Sequence, residues 1–380
     1  MKRVTLQISS CEANRITLTN LNLLHRAKSG SISRIATNLA GLHASRFISP
    51  LFSLAARMET NCFDSISDEL YASGNFVKIR CVRGTLHILT PYDASVFHKA
   101  TRKKRKQAYD YLKRRASISK PYEMILRDRI ISFLSISPAN YDDLIKFTIS
   151  KERVASQKTL EAARLIIRIL WEEGIISRLN GNTNWRIERK VYQLNSNVFW
   201  TRQANSLPEN EAEEIIIKRY FTSYGPTTIN DAAWWSEISV NKIKEILLNN
   251  SEEFIEIKID NCRAPYFLNV HSLDALGNGS DCTCGVKLLP YEDNLLKGYK
   301  TSRYRFVDPN YYSEVYNPAG EANATILVND KILGIWKYNR AKNEIQIKKF
   351  DLFPRMYNIQ LMQEVERLCR IINGSCSFIS

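Results

Sequence analysis

The sequence has no run of about 18 apolar residues, so nothing in it reads as a membrane-spanning helix. Its first 13 residues contain no continuous apolar core of a secretory signal, and the expectation is a cytosolic protein. Histidine is scarce: His25, His43, His87, His98 and His271 are the five among 380 residues. Eight cysteines are scattered without one C-x-x-C, and Cys282-Thr283-Cys284 is a lone C-x-C with no second pair or nearby histidine. Zinc needs four ligands at suitable spacings, so no metal site and no other cofactor is expected. For the cysteines, buried or free thiols in a reducing compartment are expected.

What the chain does have is positive charge. Lys plus Arg number 54 against 39 Asp plus Glu, a net +15 with a pI near 9.4. That balance favours a polyanionic partner, nucleic acid before anionic membrane. Apolar content of 44% and charged content of 24% are ordinary for a globular protein. A length of 380 residues points to two to four domains rather than one core.

One stretch organises the rest. Ile32, Ile35, Leu39 and Leu42 form one face of a helical pattern. Where that face ends, His43 and Ser45 stand two residues apart, and in extended backbone both point the same way. Pro50 suits the first turn of the next helix, Leu51 to Met58. A polar pair at the mouth between two helices can orient water. The alternative is a helix-terminal histidine and a turn serine.

The element pattern recurs. After a polar extension over 1–13, helices are expected over 15–28, up to Gly41, over 50–58 and over 64–73. Alternation over 76–82 and 85–89 about Arg83-Gly84 predicts a hairpin. One long helix, 91–115, carries Arg102, Lys103, Lys104, Arg105 and Lys106 in succession, either a solvated face or a phosphate-binding one. Helices over 122–134, from 138 and over 159–173 precede strands 175–179 and 183–188 about Asn180-Gly181-Asn182. A polar linker over 201–208 leads to helices 209–224, 228–235 and 240–248 and strands 253–259 and 266–270. Beyond Asn278-Gly279-Ser280 come strands 286–289, 324–328, 332–338 and 344–350. A helix over 357–372, stopped at Asn373-Gly374, closes the chain. The expected fold is α+β: three tandem winged-helix modules followed by a small C-terminal β-barrel or sheet. The corresponding domains are 14–92, 93–200, 201–275 and 276–380.

Several motifs fit one family. Leu288-Leu289-Pro290-Tyr291-Glu292-Asp293-Asn294-Leu295-Leu296-Lys297-Gly298 resembles the LLP-x-x-D-x-x-L-x-G segment of the AlkZ/YcaQ-like winged-helix DNA glycosylases. Arg83-Gly84-Thr85-Leu86-His87 is similar to their RGTLH hairpin. Tyr224-Gly225-Pro226 with Ala232-Ala233-Trp234, and the stretch 324–336, resemble two further segments. The likeness runs from about residue 15 to 350. It implies three winged helices and a barrel around a DNA cleft. The family's catalytic Gln-Φ-Gln or Gln-Φ-Asp falls on His43-Ala44-Ser45, so both polar positions depart from the pattern.

The resemblance implies a DNA-repair glycosylase that hydrolyses the N-glycosidic bond of alkylated purines, N7-alkylguanine in type, including bulky adducts or crosslinks. Such a base is a cation and leaves readily. A neutral His43 accepts a proton from water and Ser45 holds that water. With no lysine at the motif, the expectation is hydrolysis without strand cleavage by a monomer on double-stranded DNA. Arg46, Arg83, His87 and the five cations of 102–106 are the expected DNA contacts, with packing as the alternative for His87. Asp293 and Arg303 either line the cleft, or cap a turn and pair on the surface. The rival reading is a catalytically inactive damaged-DNA-binding or regulatory protein.

Overall fold

The computed structural model describes residues 6–60, 62–152, 156–181, 184–195, 199–276, 284–372 and 377–379. The turn residue Asn182, the boundary Asn278-Gly279-Ser280, the helix stop Asn373-Gly374 and the cysteines Cys282 and Cys376 lie outside the described residues.

The chain opens with β1 (Leu6–Ile8) and α1 (Ser10–Asn20). A first group follows: α2 (Ile32–Asn38), β2 (Leu42–His43), α3 (Ser49–Arg57), α4 (Phe63–Tyr71), β3 (Val77–Arg80) and β4 (Leu86–Leu89). Its sheet runs β2-β4-β3. The long α5 (Pro91–Arg115) starts where the sequence says it should. Thr90 caps it by accepting from the Asp93 amide, and Pro91 occupies the first turn, where a missing N–H costs nothing.

A second group repeats the order: α6 (Lys120–Ile136), β5 (Ala139–Asn140), α7 (Tyr141–Ile149), α8 (Gln157–Glu172), β6 (Ile176–Asn180) and β7 (Lys190–Leu194), in a β5-β7-β6 sheet. A short helix, α9 (Phe199–Ser206), leads to the third group. That group is α10 (Glu209–Tyr224), α11 (Ile229–Ser236), α12 (Val240–Asn249), β8 (Phe254–Ile259) and β9 (Tyr266–Asn269). Here a bridge from Thr227 to Phe267 stands where the first strand would be, and β1 adds to the far edge, parallel to β8.

The C-terminal part holds β10 (Val286–Leu289), α13 (Asn294–Lys297), α14 (Tyr312–Val315), β11 (Thr325–Val328), β12 (Lys331–Asn339), β13 (Glu344–Lys349), α15 (Asn358–Ile371) and β14 (Ser377–Ile379). Its five strands lie in the order β10-β11-β12-β13-β14. β10 and β14 are the two edges, so among the described residues this is an open sheet and not the barrel that was one of the two expectations.

Three cores hold these parts. One cluster joins the first group, the third group and the C-terminal sheet, with Leu54, Tyr224, Leu289 and Trp336 among its members. The second group keeps its own core around Leu126, Ile130, Leu144 and Ile166. A small third core joins Ile8, Ala13 and Ile16 to Ile257 and Leu268.

Several expectations need correction. Residues 6–8 are a strand, not a polar extension, and Ile8 is buried where β1 meets β8. The first helix starts at Ser10, with Ser9 and Glu12 forming a reciprocal capping box, and ends at Asn20. The polar linker over 201–208 is largely α9, because Trp200 and Ala204 bury one face of it. The strand read over 183–188 begins only at Lys190. Arg189 first closes a loop, its amide donating to Asn180 Oδ1 and its carbonyl accepting from the Gly181 amide. Finally, Cys11 and Cys369 are each disulfide-bonded, while Cys62, Cys81, Cys262 and Cys284 are free thiols.

Candidate active site

The motif is held by a sharp turn and a long reach across the chain. Ala40 and Gly41 both take left-handed backbone (φ 53° and 95°), which swings the chain out of α2 into β2. A Cβ at Gly41 would lie 2.6 Å from Leu89 Cδ2, so glycine is also needed for close approach. The carbonyls of Leu39 and Gly41 both accept from Asn294 Nδ2, each at 2.9 Å. In β2, His43 pairs directly with His87 of β4.

Behind the motif sits the loop between β10 and α13. Glu292 takes φ 61°, and its carboxylate turns inward to meet His43. His43 Nε2 lies 3.5 Å from Glu292 Oε2, and His43 Nδ1 lies 3.4 Å from Ser45 Oγ. Lys297 Nζ closes on Glu292 Oε1 at 3.0 Å and donates to the Gly320 carbonyl at 3.0 Å. The Ala322 amide donates to the same Oε1. His43, Glu292 and Lys297 are buried, and Ser45 is exposed. The site is therefore a file of successive contacts that starts at an exposed hydroxyl: hydroxyl, imidazole, carboxylate, ammonium.

Burial decides the charge of the imidazole. Desolvation pushes the His43 pKa well below the usual imidazole range, and neighbouring His87, Lys297 and Arg83 push it the same way. His43 is thus neutral at pH 7, and its 3.5 Å approach to Glu292 is a dipole contact rather than an ion pair. If Nδ1 accepts from the Ser45 hydroxyl, Nε2 carries the ring proton and faces the carboxylate; this tautomer is inferred from the neighbours. A proton taken at Nδ1 would make an imidazolium directed at Glu292. Lys297 is lowered by burial, and Glu292 pulls it back.

The other expected site residues divide. Arg46 is exposed, 3.4 Å over the Tyr291 ring, at the mouth beside Ser45. Arg83 takes φ 51° in the β3–β4 turn, lies 3.9 Å over the Trp234 ring and donates to the Lys297 carbonyl. His87 is buried with its Nδ1 3.2 Å from Cys81 Sγ, and burial takes its pKa down to about 3. It packs, and the phosphate reading for it is corrected. Arg102, Lys103, Lys104 and Lys106 are exposed on α5. Arg105 is not. It points inward, donating to the His98 carbonyl at 2.9 Å and standing 3.5 Å from Glu172, so it is no phosphate contact here.

Asp293 also turns inward. It grips Arg57 through two bonds of 2.8 Å, both side chains fully buried, and caps α13 by accepting from the Leu295 amide. Asp293 thus caps a short helix, and its carboxylate is taken up by Arg57. Arg303 lies 4.5 Å over the Tyr316 ring. No group of three or more His, Cys, Asp or Glu side chains is gathered for a metal among the described residues.

Sequence reasoning missed Glu292, Asn294 and Lys297. All three lie inside the LLP segment, where only Asp293 carried the family signal. Nothing local marks Glu292 as the inward residue, because its orientation depends on the left-handed turn.

Helix, strand, two helices and a hairpin, given twice and then with a close variant, place the chain among multi-module helix-and-hairpin proteins. A family model described as "DNA glycosylase AlkZ-like" matches residues 36–371, and the chain belongs to that family. It is 21% identical over 312 residues to the "Interstrand DNA cross-link repair glycosylase" of Streptomyces sahachiroi, covering 81% of this chain and 82% of that protein. It is also similar to a solved structure of the Streptomyces sahachiroi DNA glycosylase AlkZ. The TM-score is 0.78 at 19% identity, covering 98% of this chain and 100% of that one.

Proposed function

We propose that this glycosylase hydrolyses the N-glycosidic bond of alkylated purines, N7-alkylguanine in type, without cutting the strand. The three repeated helix-and-hairpin groups are read as winged helices that hold the duplex, working as a cytoplasmic monomer without a cofactor. The observation that carries the chemistry is the file Ser45–His43–Glu292, with only its hydroxyl exposed.

An N7-alkylated guanine is already a cation. When the bond between C1′ and N9 breaks, its electron pair returns to the purine and neutralises it. Water then forms the new bond to C1′. Its proton goes to Ser45 Oγ as the Ser45 hydroxyl proton passes to His43 Nδ1. The imidazolium so formed faces Glu292, which stabilises it more than water would in this dry setting. Ser45 and His43 are the catalytic residues in this reading and Glu292 is a positioning residue. Arg46 on Tyr291 and the exposed cations of α5 supply phosphate contacts. Lys297 is occupied by Glu292 and Gly320, which supports hydrolysis over attack by an amine.

The relative's printed name adds interstrand crosslinks as a substrate class. The test incubates the purified protein with an N7-methylguanine duplex and then heats it in alkali. Strand breaks that appear only after alkali are expected. His43→Ala should lose base release by about 10²–10⁴-fold while keeping duplex binding. Unchanged release in that variant removes His43 from the mechanism. No release by the parent protein leaves the DNA-binding reading.

A further inference from the structure

A second site lies on the other face of the first sheet. In that sheet Ile79 pairs with His87 and Arg80 with Leu86. Alternation therefore puts Arg80 and Leu86 on the face opposite His43 and His87. Between this face and the second group is a cavity of about 450 Å³. Cavities that hold small molecules begin at about 300 Å³.

The wall of this cavity is one-sided in charge. Arg80, Arg164, Arg168, Arg178 and Lys190 line it, and among the described residues no carboxylate does. Glu172 holds Arg80 and Arg168 from behind, and Glu188 holds Arg178, at 3.0, 3.4 and 3.1 Å. These pairs fix three guanidinium groups without cancelling the set. Arg164 and Lys190 are exposed and stand in no such pair among the described residues. The remaining wall supplies rings. Tyr141 and Tyr192 lie 5.8 Å apart, tilted by 36°, and Trp171 is covered by Arg178 at 4.9 Å.

Guanidinium forks match phosphate oxygens, and aromatic faces take a flat heterocycle at little cost in specificity. From this wall we infer a nucleotide-binding site that grips one phosphate and stacks the adjoining base. Two sources carry that chemistry: an unpaired nucleotide of a bound DNA strand, and a free nucleoside monophosphate. The site shares no residue with the Ser45–His43–Glu292 file, and it does not depend on the base-release reading.

The test uses the full chain and two probes. Binding of 5′-dAMP is followed by calorimetry. Binding of a fluorescein-labelled duplex, blunt or with a short single-stranded tail, is followed by polarisation. The double variant Arg164→Glu/Lys190→Glu changes only exposed cations of the wall, and Lys342→Glu, an exposed cation between β12 and β13, controls for net charge. If dAMP binds and the double variant weakens it at least tenfold, the site takes free nucleotide. If the tailed duplex binds at least fivefold tighter than the blunt one, and the double variant removes only that preference, the site takes an unpaired strand. Absence of both effects overturns the inference, and so does an equal loss with Lys342→Glu. Base release on the N7-methylguanine duplex is measured separately, so failure of one reading leaves the other standing.

Discussion

Lowering the pH should destabilise the fold well before the carboxylates titrate. His43, His87 and His98 are all buried, and desolvation is the first cause of each lowered pKa. Above about pH 6.5 these side chains are neutral in both the folded and unfolded chain and contribute no pH dependence. Below it the unfolded chain takes up protons that the fold refuses. Stability then falls by about 1.36 kcal/mol per pH unit for each group until its folded pKa is reached. For His87, held at about 3, the fall from pH 6.5 to 5 amounts to about 2 kcal/mol. His43 and His98, lowered for the same first cause, add to the fall in the same direction. Even the His87 part is a large fraction of the roughly 5–15 kcal/mol that holds a typical fold. Carboxylates with lowered pKa, such as Glu188 and Glu364, begin to act only below 4.5, and Glu213, raised by burial, acts in the opposite sense, so a fall between 6.5 and 5 is the histidines'. Urea midpoints followed by tryptophan fluorescence at pH 7.5, 6 and 5 would measure the effect. His98→Phe, which keeps a ring against Trp200, should make the slope shallower. A midpoint that does not move between pH 7.5 and 5 would refute the reasoning.

Because His43 is held neutral, the acid limb of base release should fall below pH 6.5 in a pH–rate profile; a limb at or above that value would mean an ordinary, solvated imidazole. Glu292→Gln keeps the size of the side chain but removes the charge that meets the imidazolium, so the release rate should drop while substrate affinity holds; a pure affinity loss would make Glu292 structural only. Removing one partner of the fully buried Arg57–Asp293 pair, as in Asp293→Asn, should cost about 3–5 kcal/mol in denaturant unfolding. Duplex affinity should fall with salt, and Lys103→Ala should reduce the slope of log K against log salt by about 1; an unchanged slope would take Lys103 off the phosphate path.

Local patterns carried the elements whose cause is local. The hairpin about Arg83-Gly84 was legible because alternation on both sides meets two residues that take left-handed backbone. α5 was legible from its Pro91 start and its caps. Its inward side was legible too, though it was not read. Phe97, Thr101, Arg105 and Tyr109 recur at four-residue steps, and all are buried, so one of the five cations had to face the core. α9 was missed because Ser, Asn and Gln outweigh the signal of Trp200 and Ala204. β1 was missed because three residues carry no period and its partner is about 250 residues away. Family likeness marked the LLP segment, yet it could not tell Glu292 from Asp293. Neighbours in sequence, one faces His43 and the other Arg57.

The distance in sequence between the two halves of the site has a consequence for synthesis. Asn294 steadies Leu39 and Gly41, and Asp293 holds Arg57, across separations of 255, 253 and 236 residues. While the ribosome is still translating the third group, the N-terminal motif has neither its carboxylate nor its turn support. On the mechanism proposed above, an incomplete chain would carry Ser45 and His43 without the groups that position them, and full activity would wait until the LLP loop has left the exit tunnel.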